Sequence, residues 1–173
     1  MKPLGNKERP PLPGAKIAIT GDPPIGPAEL DTLQRDTFGY FVKEANLSNG
    51  LIADKTQPGA PSSIAAVGLA LSSYPVGVVR GFMSRADAVQ RTLATLRFFD
   101  ASVQGTEADA TGYKGFYYPF LDMSSGRRAW ECELSTIDTA FLLAGMLAAA
   151  AFFPEDTAAG LYIRQPGRKT SRR

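Results

Sequence analysis

Between Gly115 and Phe141 the chain reads GFYYPFLDMSSGRRAWECELSTIDTAF, and four carboxylates fall inside this stretch: Asp122, Glu131, Glu133 and Asp138. Two carboxylates at a fixed separation are the working parts of glycosidic bond hydrolysis, one protonating the leaving oxygen while the other attacks or activates water. The acid of such a pair needs a raised pKa, which an apolar surround supplies by desolvation. Phe116, Tyr117, Tyr118, Phe120 and Trp130 stand close by in sequence. Aromatic rings with a polar edge suit the apolar faces of sugar rings, while their O–H or N–H groups bond outward. Each of these residues also has a plainer role open to it. The aromatics can form a satellite cluster that pins the segment to its neighbours. Asp138 stands three residues after Ser135 and can cap a helix. Glu131 and Glu133 can pair with Arg127 and Arg128.

Composition narrows the chemistry further. Among 173 residues there is no histidine, which excludes a histidine triad, a histidine zinc site or an imidazole proton shuttle. Acid–base work therefore falls to carboxylates, tyrosine, lysine or one thiol, and neither a metal site nor a cofactor is expected. Cys132 is the single cysteine, so no internal disulfide can form. With no base for a thiolate, it reads as a small buried hydrophobe.

The net charge is +2, and Arg164, Arg168, Lys169, Arg172 and Arg173 crowd the last ten residues. The body that remains is near neutral, so a nucleic-acid footprint across a folded face is not indicated. A charge block of that kind reads as a solvated, disordered tail. The opening residues carry prolines and charges without a continuous apolar core, and no secretory signal is visible. The most apolar run, Ala140 to Phe153, is fourteen residues. That falls short of the roughly 20 needed to span a bilayer and reads as a buried core helix.

The elements that must position these side chains follow from periodicity. Residues 1–27 read as an extended, proline-rich leader, with Pro27 as a first helical residue. Leu30, Leu33, Phe38, Phe41 and Val42 predict an amphipathic helix over Ala28–Ala45. Asn49-Gly50, Pro58-Gly59 and Pro61 then mark turns. Ile64, Val67 and Leu71 predict a helix over Ser63–Tyr74 that Pro75 ends. Ser84 and Asp87 make a capping box, opening a third helix whose stripe is Val89, Leu93, Leu96 and Phe99. Gly105 to Cys132 is irregular, and a fourth helix covers Thr136–Phe153. The fold class predicted is all-α, in helical hairpins with function on one rim.

Taken in order, several stretches resemble the glucoamylase-like glycoside hydrolases, a family that includes endo-β-1,2-glucanases and the glycoamylase-like domain of cyclic β-1,2-glucan synthases. They are LDTLQRDTFGYF (Leu30–Phe41), NGLIADK (Asn49–Lys55), SSIAAVGLAL (Ser62–Leu71), GFYY followed by FLD (Gly115–Asp122), and W-x-C-E-L-S-T-I-D-T-A (Trp130–Ala140). The resemblance implies a bacterial protein, soluble or exported, acting on β-glucan, with β-1,2-glucan favoured. It also implies an (α/α)6 toroid, of which residues 28–153 would carry about four of twelve helices. Glu133 and Asp138 match the acids of the C-E-L-S-T-I-D motif and are the catalytic candidates. Asp54, Tyr117, Tyr118, Asp122 and Trp130 are the substrate-binding candidates. Pro119 stands where the family commonly has histidine, which removes a ring donor from that loop. From residue 154 the text leaves the family pattern, as early termination or a shifted frame would produce. A partial ring leaves apolar helix faces open to self-association, so the chain alone is expected to be marginally stable and weakly active or inactive.

Overall fold

Three serines set where the helices begin. In the computed structural model, which describes residues 26–153, helix α2 spans Ile64–Val79, α3 Arg85–Ala101 and α4 Thr136–Phe152. Each is preceded by a serine whose Oγ accepts from a backbone N–H three residues on: Ser63 from Ala66 at 3.4 Å, Ser84 from Asp87 at 3.0 Å, and Ser135 from Asp138 at 3.1 Å. These bonds satisfy donors that a helix cannot satisfy internally. Helix α1 spans Pro27–Lys43, with proline in the first turn and the Glu29 carboxylate accepting from Gly26 N–H at 2.9 Å. The rest of the leader, and the tail from residue 154, lie outside the described residues.

The central pair is α2 with α4. Gly68, in the second turn of α2, lies against the backbone of Phe141 and Leu142, and Gly145 lies against the backbone of Gly68. A methyl group built on Gly145 would sit 2.1 Å from the Gly68 carbonyl oxygen. The helices touch backbone to backbone, which only glycine permits here. The first turns of both helices lie at the same end, so α2 and α4 run parallel. Around this seam Ile64, Val67, Leu71, Leu142 and Met146 form the core with Leu51, Ile52, Leu96, Phe99 and Leu121.

Four two-residue strands tie the helix starts together: β1 Ser62–Ser63, β2 Gly112–Tyr113, β3 Phe116–Tyr117 and β4 Phe120–Leu121. β1 pairs antiparallel with β4, Ser62 opposite Leu121 and Ser63 opposite Phe120. β2 pairs antiparallel with β3. Single bridges extend the pattern, joining Ala45 to Ile52, Ala53 to Ser62, Leu121 to Arg128 and Tyr117 to Ser135. The 105–132 stretch is thus stitched by short pairings, too short to leave an alternating pattern in the sequence. The fold remains all-α in its body.

Two expectations are corrected. Pro75 does not end α2, which continues to Val79. A proline inside a helix costs about 3 kcal/mol, but the turn beyond it is anchored. Gly77 lies against the Phe38 ring of α1, and Val78 packs on the core. The fourth helix is not a buried core helix over its whole circumference. Thr139, Leu142, Met146 and Ala149 are buried against the rest of the chain, whereas Ile137, Phe141, Leu143 and Leu147 are exposed. A helix apolar all round needs neighbours on every side, and among the described residues α2 is the helix packed most extensively on α4. Leu69, Val76 and Val79 of α2 are exposed as well. No helix among the described residues is long and apolar enough to cross a membrane.

Candidate functional site

The start of α2, the start of α4 and the two connections that lead into them, 44–63 and 102–135, meet at one rim, because the short pairings join them there. Ser63, which caps α2, lies opposite Phe120, and Ser135, which caps α4, is bridged to Tyr117. Pro119 has a structural part: its carbonyl accepts from Ile64 N–H at 3.0 Å. The Asn49-Gly50 turn forms as expected. Gly50 has φ +72°, and a side chain there would collide with Thr95. Asn46 and Asn49 donate their amides to the Met123 carbonyl at 2.7 and 3.0 Å, tying the 44–54 loop to the 122–126 turn.

Asp138 performs the capping role that its spacing allowed. Its N–H donates to Ser135 Oγ, and the Ser135 hydroxyl donates back to Asp138 Oδ2. Glu133 stands exposed one turn earlier, on the approach to α4. The arginines do not turn toward Glu131 or Glu133. Arg127 reaches Asp109 Oδ1 at 3.5 Å; Arg128 donates to the Ala108 carbonyl at 3.3 Å and stacks 4.3 Å from the Tyr118 ring centroid. That stacking occupies Tyr118 with a cation, a favourable use of its ring face.

Trp130 is 62% exposed, lies 5.0 Å from Phe120 between ring centroids, and adopts φ +59°. A left-handed backbone is uncommon for a bulky residue and costs energy that surrounding structure must hold in place. The result is a broad indole on the rim, in contact with a second ring. Tyr117 is arranged otherwise. Its ring meets Phe99 edge-on at 5.0 Å, and its hydroxyl lies with Ser102 and Gln104 at the end of α3. Burial raises its pKa, with the Asp100 charge adding to that and the two hydrogen bonds opposing it. Tyr117 therefore joins α3 to α4, since its own N–H also donates to Thr139 Oγ1 at 3.1 Å.

Asp122 shapes a turn. Its Oδ1 accepts from Ser125 N–H at 2.7 Å, Ser125 Oγ at 2.8 Å and Ser124 N–H at 3.0 Å. These bonds, those of Ser125 foremost, hold its carboxyl below the usual carboxylate range. Asp54 is exposed at the end of the 44–54 loop. Beside it lies a residue that the sequence reading passed over, Tyr40 of α1, whose hydroxyl donates to the Ala53 carbonyl at 2.5 Å. The signal was a tyrosine beside the apolar stripe of α1, where a part-buried hydroxyl needs an acceptor. Among the described residues no three metal-ligating side chains gather in one place. Asp54, Tyr118, Asp122, Trp130, Glu133 and Asp138 thus lie on or next to segments that these backbone pairings join, and Tyr117 is packed on Phe99.

No protein-family model matches the chain. A curated exo-β-1,2-glucooligosaccharide sophorohydrolase (non-reducing end) from Parabacteroides distasonis is 26% identical over 156 residues, covering 86% of this chain and 20% of its own. The crystal structure of a β-1,2-glucanase from Parabacteroides distasonis superposes with a TM-score of 0.69 at 23% identity, over 79% of this chain and 19% of that one. An endo-β-1,2-glucanase from Chitinophaga pinensis, solved with sophorotriose and glucose, gives 0.65 at 18% identity over 80% and 35%. A putative glucoamylase from Bacteroides caccae gives 0.65 at 22% over 80% and 34%. The fold is that of part of an α/α-toroid glycoside hydrolase. The resemblance to the glucoamylase-like group drawn from the motifs is borne out, and the chain spans about a fifth of the length of the curated relative.

Proposed function

We propose that the chain is a glycoside hydrolase-like protein whose rim takes a β-glucan, β-1,2-linked by preference. In this reading Glu133 and Asp138 supply the paired-carboxylate chemistry, Trp130 offers a face to a glucose ring, and Asp54, Tyr118 and Asp122 line the approach. Tyr117 supports the rim from below. The observation that carries the reading is the common seam: paired residues from four of the motifs, Ala53, Ser62, Leu121 and Ser135 among them, sit along one set of backbone pairings at the starts of α2 and α4. The β-1,2 linkage is supported by the names of the relatives above.

Activity of the chain by itself is proposed to be weak or absent. Asp138 is engaged by its cap, and the outer faces of α2 and α4 stand open, so the rim lacks support on that side. The experiment is incubation of the purified chain with linear β-1,2-glucan, followed by chromatography of the oligosaccharides. Slow shortening that falls about a hundredfold or more in Glu133→Gln is expected if the acid pair works, since general acid–base catalysis contributes that much. Binding is measured separately. Trp130→Ala weakens affinity for a β-1,2-gluco-oligosaccharide about three- to tenfold, the worth of one good aromatic contact. Binding without turnover would leave a carbohydrate-binding protein; neither binding nor turnover would sink the proposal.

A further inference from the structure

Both polar groups of one peptide unit, the link between Ala53 and Asp54, are held from outside the loop. Its carbonyl accepts from the Tyr40 hydroxyl at 2.5 Å, and its N–H donates to the Pro61 carbonyl at 2.8 Å. The next donor back is held too, with Ala53 N–H donating to the Glu44 carbonyl at 3.0 Å. Fixing a peptide plane on both edges fixes the N–Cα bond of the residue that follows, so only rotation about that bond is left to aim its side chain. The following residue is Asp54, whose exposed side chain makes no hydrogen bond or ion pair among the described residues. The Tyr40 side chain is itself anchored by an edge-on contact with Phe41 at 5.5 Å. The arrangement is a held backbone beneath a solvent-facing carboxylate.

We infer that Tyr40 is a positioning residue for Asp54, holding its carboxylate ready for a sugar hydroxyl. This inference rests on the glucan reading above for its ligand, but not for its geometry. Tyr40 touches no sugar; it acts through the Ala53 carbonyl. An isolated exposed aspartate on a loose turn would have to be ordered by each ligand that it meets, and pre-organisation removes that cost.

Two measurements test it with the full chain. The first is ligand-free amide exchange. Tyr40→Phe keeps the ring and removes one hydrogen bond, so the Asp54 amide exchanges about three- to tenfold faster, while that of Leu142 in the core is unchanged. Equal exchange at Asp54 overturns the inference. The second is calorimetric titration with a linear β-1,2-gluco-oligosaccharide. Tyr40→Phe and Asp54→Asn each weaken binding, and the double variant binds no more weakly than Asp54→Asn alone. A full additional loss in the double variant shows that Tyr40 works independently of Asp54 and also overturns the inference. Absence of binding by the unaltered chain refutes the glucan reading and leaves the exchange result to decide the positioning role. If Tyr40→Phe does not fold, the tyrosine titration of Asp54→Asn decides instead. Burial first, and the Asp54 charge after it, raise the Tyr40 pKa; loss of that charge lets Tyr40 ionise at lower pH, and an unchanged titration overturns the inference.

Discussion

Replacing Gly145 by alanine adds one methyl group where α4 crosses α2. The new carbon would sit 2.1 Å from the Gly68 carbonyl oxygen and 2.7 Å from both the Gly68 carbonyl carbon and its Cα. All three atoms are backbone, so no side chain can swing aside and the helices must part. Overpacking of this kind costs about 1–3 kcal/mol, and the rigidity of the neighbour argues for the upper half. Against it stands the propensity gain of alanine over glycine inside a helix, about 1 kcal/mol. The net is a loss of about 1–2 kcal/mol. In urea, with a slope of about 1.5 kcal/mol per molar, the midpoint falls by about 1 M. A matched control has the opposite sign. Gly39 lies within α1, and the nearest atom to its added methyl would be the Lys43 side chain at 4.0 Å. Gly39→Ala therefore stabilises by about 0.5–1 kcal/mol. The assay is equilibrium unfolding of both variants, followed by far-ultraviolet circular dichroism. If Gly145→Ala matches or exceeds the unaltered chain in stability, the close crossing is wrong, and with it the placement of the two helix starts at one rim.

Two further outcomes follow from titration and from the turn at Asp122. Tyr74 and Tyr117 both have pKa values raised chiefly by burial; their neutral forms favour the folded state, so stability is complete below the ordinary tyrosine pKa near 10 and declines as pH rises through the higher folded values. Alkaline unfolding curves for Tyr117→Phe should show a shallower decline than the unaltered chain, and identical curves would refute the burial account. Asp122→Ala removes three hydrogen bonds at an exposed turn and lowers stability by about 1 kcal/mol, measurable by the same urea experiment. Because the Asp122 pKa is lowered, its contribution is present above the ordinary carboxylate pKa and fades as pH falls through the folded value. The difference between Asp122→Ala and the unaltered chain should therefore narrow in acid.

What the sequence disclosed and what it withheld divide along physical lines. Ser84 and Ser135 announced their helices because an S-x-x-D pattern meets a local need, the unsatisfied donors of a first turn. Gly50 was legible for the same reason: its turn is local chemistry. Pro75 misled because a local penalty was outweighed by distant packing, the Phe38 ring against Gly77. The exposed half of α4 could not be read from its composition, since an all-apolar stretch does not record how many neighbours it has. Arg127 and Arg128 turned toward residues 108–109 because the hairpin brought that backbone closer than the glutamates adjacent in sequence. Tyr117, a sugar-facing candidate by type, is packed on Phe99, because strand β3 directs it toward α3. At the rim, residue types were legible from the motifs; which of them face outward was not, because two-residue strands set those directions.

The pairing of Leu121 with Ser62 on one side and with Arg128 on the other has a consequence for how such loops can change in length. A single residue gained or lost near Leu121 would turn its neighbours to the opposite face, disturbing the aspartate turn of one hairpin along with the tryptophan of the next. Growth is free at the outer bends, such as residues 55–59, where Gly59 has open space around it. The two loops are thus locked in phase, and neither can drift without carrying the other.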